Sequence, residues 1–402
     1  MQERFLFWEN PKDAVLTIVA VLMFIGCGNV FSASFVSANA MFGTGYYYLY
    51  RYAAFSAFGL VGLGVVGWVF NYHLWLKYRK IVFMICLVLL LCVDFFGVAT
   101  KGAQRWLPIF GISFQPSEFV KLGIIIIGSG SLGSLMRRKK KVTLLGYPSV
   151  LAVGQAMVLA GLVLVQPDMG TAAIILALMI LLYVIAGLAL KELGVLFGVG
   201  SVGIGLLIAM EPYRLSRVML WLDPWREAQG NGYQAVQSFV SIGSGGLFGT
   251  HFGMGTGKFF FLPEAHTDFA FAIFCQEWGF IGALFLLFLF LILAKAIYTI
   301  GSNTKDEKGF LLVTGINFLV VGQAVANMAM VCGILPIIGV PLSFISYGGT
   351  SLIATLIAVG LVIAVYKDEV KKSQMQPTEI SSFVPRSAKA EKSVFRPRGG
   401  KI

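Results

Sequence analysis

The residues best suited to chemistry in this chain lie in one run, Phe261 to Phe269, reading F-L-P-E-A-H-T-D-F. The run ends a polar, glycine-rich loop and sets Asp268 at the mouth of an apolar helix. An ionised carboxylate at mid-bilayer costs about 2.5–3.5 kcal/mol on insertion scales, so an acid beside a membrane demands a reason. A lone carboxylate there can act as a general base on an attacking hydroxyl. Glu277 follows nine residues later. That spacing is about 180° round a helix of 3.6 residues per turn and roughly 13 Å deeper, so the two acids are not expected to pair. Glu277 is expected to pack against another helix.

Three further segments gather polar side chains in apolar surroundings. The first, Lys101 to Lys121, contains R-W-L-P-I-F from Arg105 and Q-P-S-E-F-V-K from Gln115, which brings in Ser117, Glu118 and Lys121. Glu118 and Lys121 are three apart and about 60° apart on a helix face, which lets them pair or meet a substrate; both readings stand. The second is Gln166-Pro167-Asp168-Met169-Gly170-Thr171. The third is Pro341 to Ser351, P-L-S-F-I-S-Y-G-G-T-S, with Ser343, Ser346, Tyr347 and Thr350. With His266 from the Asp268 run, these are the candidate substrate contacts. Arg105, Arg214, Arg217 and Lys258 are candidates to hold a phosphate group on a lipid, because cations at the interface suit a diphosphate. Taken singly, each also serves as an anchor to anionic headgroups.

The elements that must position these residues are membrane helices. The chain has 402 residues, 57% hydrophobic and 12% charged, against an apolar share of about 45–50% in soluble domains. Its mean hydropathy is +0.82. A spanning helix needs about 20 apolar residues, and ten segments qualify. They are 13–36, 48–71, 80–98, 116–134, 145–165, 170–188, 193–210, 269–296, 309–331 and 342–366. The expected fold is all-α, a polytopic membrane protein with ten transmembrane helices and a large extracytoplasmic loop, 211–268, between the seventh and eighth. Trp and Tyr in that loop suggest short amphipathic helices at the outer interface. Residues 1–12 form a cytoplasmic amino terminus, 13–366 the transmembrane domain, and 367–402 a basic, disordered cytoplasmic tail.

Orientation follows from the basic residues, which gather on the cytoplasmic side of membrane proteins. With the amino terminus inside, 23 of the 31 Lys and Arg fall inside, led by Arg137 to Lys141. Both termini are then cytoplasmic and the polar clusters face outward. Ala38-Asn39-Ala40 has the small-residue form of a cleavage site, but the preceding run is long and carries Glu3, Glu9 and Asp13, so the first helix is expected uncut.

Several classes fall away. The net charge of +12 sits beside helix ends with no aromatic-basic binding module, which argues against nucleic acid. Cys27, Cys86, Cys92, Cys275 and Cys332 show no paired spacing, and His73, His251 and His266 are too scattered for zinc. Gly253-Met254-Gly255-Thr256-Gly257-Lys258 has the look of a phosphate loop, but residue 252 is Phe where Gly is required and residue 259 is Phe where Ser or Thr is required. An outward-facing synthetic enzyme has no nucleotide supply, so its activated donor must already sit in the lipid. A polyprenyl diphosphate sugar fits, with the diphosphate leaving and one carboxylate as base. A divalent cation, Mg or Mn, could assist with Glu118 or Asp168 as ligand, though no ligand spacing establishes one.

The motifs resemble the SEDS (shape, elongation, division and sporulation) polytopic membrane proteins, the FtsW, RodA and SpoVE group. The matching residues are Ser32-Ala33-Ser34, G-A-Q-R-W-L from Gly102, Q-P-S-E-F-V-K from Gln115, Q-P-D-M-G-T-A from Gln166 and R-L-S-R from Arg214. They continue with L-D-P-W from Leu222, G-Y-Q-A-V-Q-S from Gly232, the L-P-E-A-H-T-D-F run and G-V-P-L-S-F-I-S-Y-G-G-T-S from Gly339. The resemblance implies a peptidoglycan glycosyltransferase that polymerises lipid II on the outer face of the bacterial cytoplasmic membrane, with ten spans. It also implies that the family's essential aspartate falls on Asp268. The implied partners are a single-span class B penicillin-binding protein carrying the transpeptidase, and other divisome proteins. Ala265-His266 looks more like the division branch, FtsW, than the elongation branch. Gln276-Glu277 departs from the family's acidic pair, which counts against a catalytic role for the first position. The rival readings are a lipid II flippase and a non-catalytic scaffold for the penicillin-binding protein.

Overall fold

The computed structural model describes residues 5–375 except 101, 102, 110, 111, 210, 211 and 260; within that range the side chains of 99, 100, 103, 112, 204, 206–209, 212–215 and 217 lie outside the description. The expectations for Arg214 and Arg217, and for the tail after Met375, therefore fall outside the described residues.

The chain is a helical bundle. Its helices are α1 (Pro11–Phe42), α2 (Tyr47–Gly64, continued by a wider π turn, Val65–Val69), α3 (Tyr72–Lys77), α4 (Arg79–Phe96), α5 (Pro116–Arg137), α6 (Ser149–Val165), α7 (Met169–Ile185) and α8 (Leu190–Ala209). Two short helices, α9 (Pro212–Leu222) and α10 (Tyr233–Gly245), follow before α11 (Ala270–Ser302). The chain then runs through α12 (Glu307–Asn317), a π turn (Phe318–Gly322), α13 (Gln323–Val331) and α14 (Gly349–Met375). Among the described residues, six helical stretches are long and apolar enough to cross a membrane: Pro11–Phe42, Tyr47–Val69, Pro116–Arg137, Ala270–Ser302, Glu307–Val331 and Gly349–Met375. The shorter α6 and α7 are also apolar.

Local sequence explains the ends. Proline begins α1 and α5, where its missing N–H costs nothing, and α1 stops at Gly43 in the left-handed conformation with its N–H on the Asn39 carbonyl. Ile124 to Ile127 of α5 are four consecutive buried residues, which requires neighbours on every face; α5 is the central helix. Large exposed apolar side chains on α11, including Phe280, Phe285 and Phe288, instead suit contact with lipid.

Four local features differ from the expected elements. Residues 98–114 form a three-stranded antiparallel sheet, β1 (Val98–Thr100), β2 (Ala103–Ile109) and β3 (Ile112–Phe114), with Leu107 opposite Phe114. The last helix begins at Gly349, not 342, because Ser343 to Ser346 fold into a turn with Phe344 at a positive φ of 65°. That helix also runs to Met375, so residues 367–375 are helical, with Lys372 paired to Asp368 at 2.6 Å. Within α11 the helix breaks at Gly279, φ 69°, where a Cβ would lie 2.5 Å from the Leu247 carbonyl oxygen. The break admits the 246–251 backbone: Phe280 N–H donates to the Gly246 carbonyl and Thr250 N–H to that of Gln276, both at 2.9 Å.

Candidate functional site

The loop that carries Asp268 is wound on Glu264. Glu264 has φ 54°, its carbonyl accepts from the N–H groups of Thr267 (3.1 Å) and Phe269 (3.2 Å), and its carboxylate accepts from the Thr267 hydroxyl at 2.6 Å. A non-glycine residue held at positive φ is costly and persists only where its surroundings over-determine it. Asp268 follows, half-buried, immediately before α11. Its backbone carbonyl accepts from Asn327 Nδ2 at 2.8 Å, and the same nitrogen donates to the Val340 carbonyl at 2.6 Å. Both partners are acceptors, so the amide must point its nitrogen at them. Asn327 is fully buried and ties the Asp268 loop to the 339–347 segment. The Asp268 carboxylate lies against that segment: a Cβ on Gly339 would be 3.6 Å from Oδ2. On the other side, Asn29 of α1 donates to the Ala270 carbonyl at 3.1 Å.

His266 and Tyr347 come together here. Tyr347 N–H donates to the His266 carbonyl at 2.8 Å, and Tyr48 of α2 lies between the two rings, 4.4 Å from His266 and 4.9 Å from Tyr347 between centroids. Burial pushes the Tyr347 phenol up to about 12, so it stays a donor at neutral pH. Ser343 and Ser346 shape the same segment from within: the Ser343 hydroxyl donates to the Val320 carbonyl at 2.8 Å, and that of Ser346 accepts from Leu342 N–H at 2.9 Å.

Glu118 and Lys121 form a buried ion pair at 2.9 Å, and Lys121 also donates to Gln323 Oε1 at 2.6 Å. Gln323 passes the connection on, donating to the Pro341 carbonyl at 3.1 Å. The pair thus supports the 339–347 segment through α13. Ser117 and Thr350 are buried in the first turns of α5 and α14.

Lys258 is not presented to the outer surface as expected. Its ammonium donates to Ser32 Oγ (3.0 Å), the Gly253 carbonyl (2.6 Å) and Glu277 Oε1 (3.0 Å), with Lys258 and Glu277 both buried. An ammonium has three donors, and all three are engaged, leaving none for a diphosphate. Ser32 Oγ also donates to Glu277 Oε1 at 2.6 Å, so α1, the glycine-rich loop and α11 meet in one polar knot. Gln276 secures the same loop, accepting from Gly257 N–H at 2.9 Å and donating to Ser244 Oγ at 2.7 Å.

Arg105, Gln166 and Asp168 make a separate cluster. Arg105 Nε donates to the Gln166 carbonyl at 3.2 Å, Nη2 donates to the Pro167 carbonyl, and Nη1 lies 3.9 Å from Asp168 Oδ1. Asp168 caps α7, accepting from Thr171 N–H at 3.1 Å. Gln166 Nε2 donates to Asp94 Oδ1 at 2.9 Å. Glu118 and Asp168 therefore lie in different clusters, and among the described residues no three His, Cys, Asp or Glu converge as a metal-ligand group.

Two hollows flank the start of α11. One, of about 260 Å³, is lined by uncharged groups including Trp221, Asn231, Gln234, Phe269 and Pro336. The other, of about 540 Å³, is apolar, lined by Phe24, Phe31, Phe252, Phe274, Trp278 and Phe285 of α1, α11 and the glycine-rich loop.

The family model for the FtsW/RodA/SpoVE cell cycle proteins matches residues 12–371. This chain belongs to that family. It is 36% identical over 362 residues to the probable peptidoglycan glycosyltransferase FtsW of Geobacter sp. (strain M18), covering 89% of this chain and 97% of the relative. It is 33% identical to stage V sporulation protein E of Bacillus subtilis (strain 168), covering 89% and 97%. Its fold superposes on a chain from a solved peptidoglycan synthase complex that coordinates polymerisation and crosslinking, with a TM-score of 0.72, 25% identity and coverage of 88% and 97%. It also superposes on the rod shape determining protein RodA of Thermus thermophilus, with a TM-score of 0.65, 26% identity and coverage of 88% and 96%.

In this FtsW/RodA/SpoVE chain Asn327, Gln323 and Tyr48 join the site without standing out in the sequence, and Arg51 lies three residues after Tyr48. Two amides inside an apolar helix carry no charge to draw notice, but Arg51 had a signal, standing three residues inside the expected span 48–71.

Proposed function

We propose that this chain is a peptidoglycan glycosyltransferase that polymerises lipid II at the outer face of the cytoplasmic membrane during cell division. The observation that carries this is the 36% identity, over 97% of its length, to a probable peptidoglycan glycosyltransferase. The site adds its chemistry. Asp268 takes the proton of the acceptor sugar hydroxyl as that oxygen attacks the anomeric carbon of the donor. The bond from that carbon to the diphosphate breaks, and polyprenyl diphosphate leaves with the electron pair. A single base suffices for such an inverting displacement. The apolar hollow between α1 and α11 would take the polyprenyl chain.

In this reading the chain crosses the membrane ten times, with both termini cytoplasmic and 211–268 outside, and acts at the septum. Its partner is a class B penicillin-binding protein among other divisome proteins. Any divalent cation, Mg or Mn, would act on the diphosphate.

The test is purified protein with its partner, given lipid II in detergent, where there is no bilayer to cross. Glycan polymer is expected. Movement of lipid II across liposomes with no polymer in detergent would establish a flippase instead, and neither activity would leave a scaffold. Asn327 offers a finer check. Asn327→Ala frees the Asp268 carbonyl and is expected to lower kcat about 10–100-fold with KM for lipid II little changed, as loss of positioning does.

A further inference from the structure

We infer that Arg51 binds the diphosphate of the lipid-linked sugar, on a wall built by Tyr48, His266 and Tyr347. The inference rests on the glycosyltransferase reading and concerns the leaving-group side of the same site.

Arg51 sits in the first turns of α2, half-buried. Its partners are neutral: Nη1 donates to the Tyr47 hydroxyl at 2.8 Å, and the guanidinium carbon lies 5.6 Å from the Tyr47 ring and 5.8 Å from the Phe55 ring. No carboxylate among the described residues pairs with it. The other candidate cations with described side chains differ in this respect. Lys121 is paired with Glu118, Lys258 with Glu277, and Arg105 lies against Asp168 and two carbonyls. Partial burial of a charge without a counter-ion is unfavourable, so a guanidinium with no carboxylate partner among the described residues gains from an anion. Five N–H donors in a planar fork suit phosphate oxygens, and the rings hold the plane without neutralising it.

The frame also places it. Tyr48, three residues before Arg51, packs against His266 with the rings tilted by 42°; the His266 carbonyl is held by Tyr347 N–H, and His266 is two residues before Asp268. The positive charge of Arg51 opposes the burial-driven rise of the Tyr347 phenol, consistent with a guanidinium close to that ring. Base and cation are thereby fixed to one scaffold. A cation at that point stabilises the charge that develops on the diphosphate as the sugar bond breaks.

The same group could take the phosphate of a bulk phospholipid, and the experiment separates the two. Full-length wild type, Arg51→Gln and Arg51→Lys, each with the transpeptidase partner, are compared for KM with lipid II and for inhibition by a polyprenyl diphosphate, with and without phosphatidylglycerol. Arg51→Gln is expected to raise KM and the inhibition constant about 10–100-fold, whatever the phosphatidylglycerol content, with Arg51→Lys recovering part of the loss. Should Arg51→Gln fail to fold, Arg51→Lys carries the test, since it keeps the charge but loses the fork. A raised inhibition constant supports the assignment, and wild-type constants overturn it. Constants that shift only through loss of phosphatidylglycerol stimulation make Arg51 a headgroup anchor and also overturn it. Absence of polymer from the wild type would defeat the glycosyltransferase reading itself, whereas polymer with equal constants in wild type and Arg51→Gln defeats Arg51 alone.

Discussion

Glu277→Gln is expected to destabilise the protein by about 3–5 kcal/mol, because it leaves the Lys258 ammonium buried without its charge partner. Lys258→Met should cost a similar amount by stranding the carboxylate. The double replacement Lys258→Met/Glu277→Leu should cost less than either, since a buried pair gains little over apolar groups of like volume. Thermal unfolding in detergent, run as a double-mutant cycle, measures the coupling. If Lys258 served chiefly as a diphosphate ligand, Lys258→Met would leave the unfolding midpoint unchanged and weaken lipid II use alone. The knot matters beyond stability, because Lys258 anchors the loop ten residues before Asp268 while Glu277 anchors the helix nine residues after it. Loosening it is therefore expected to lower polymerisation as well.

Much of this architecture is legible in the sequence for a simple reason. A bilayer imposes a length on apolar runs, and expected segments such as 116–134 and 269–296 fall on α5 and α11. The Asp268 loop is legible because an acid, a histidine and a proline at the mouth of an apolar helix have no bland explanation. Long-range pairing is not legible. Nothing in the run G-M-G-T-G-K shows that Lys258 folds inward to Glu277 and to Ser32, 226 residues away. The Gly279 break hides because a glycine inside an apolar run reads as helix until the loop that fills the gap is known. The late start of α14 has a similar cause: L-S-F-I-S is apolar enough to count as span, yet Ser343 and Ser346 bind backbone groups within a turn. The strands at 98–114 are short and interrupted by Pro108, so their period-two signal is weak.

The largest functional effect is expected at Asp268. General-base catalysis contributes about 10²–10⁴-fold, so removing the carboxylate should lower the polymerisation rate by that order while the fold persists. The fold should persist because the contacts that hold the loop, from Asn327 to the Asp268 carbonyl and from Thr267 and Phe269 to Glu264, run through groups the substitution keeps. Asp268→Asn preserves the shape of the side chain but cannot take a proton, which separates base from scaffold. The direct measurement is the rate of glycan polymer formation from lipid II in detergent by purified Asp268→Asn protein in complex with the proposed transpeptidase partner. A loss of about 10²-fold or more, with unfolding midpoint and complex formation matching wild type, is the predicted result. Polymerisation at the wild-type rate would contradict the account.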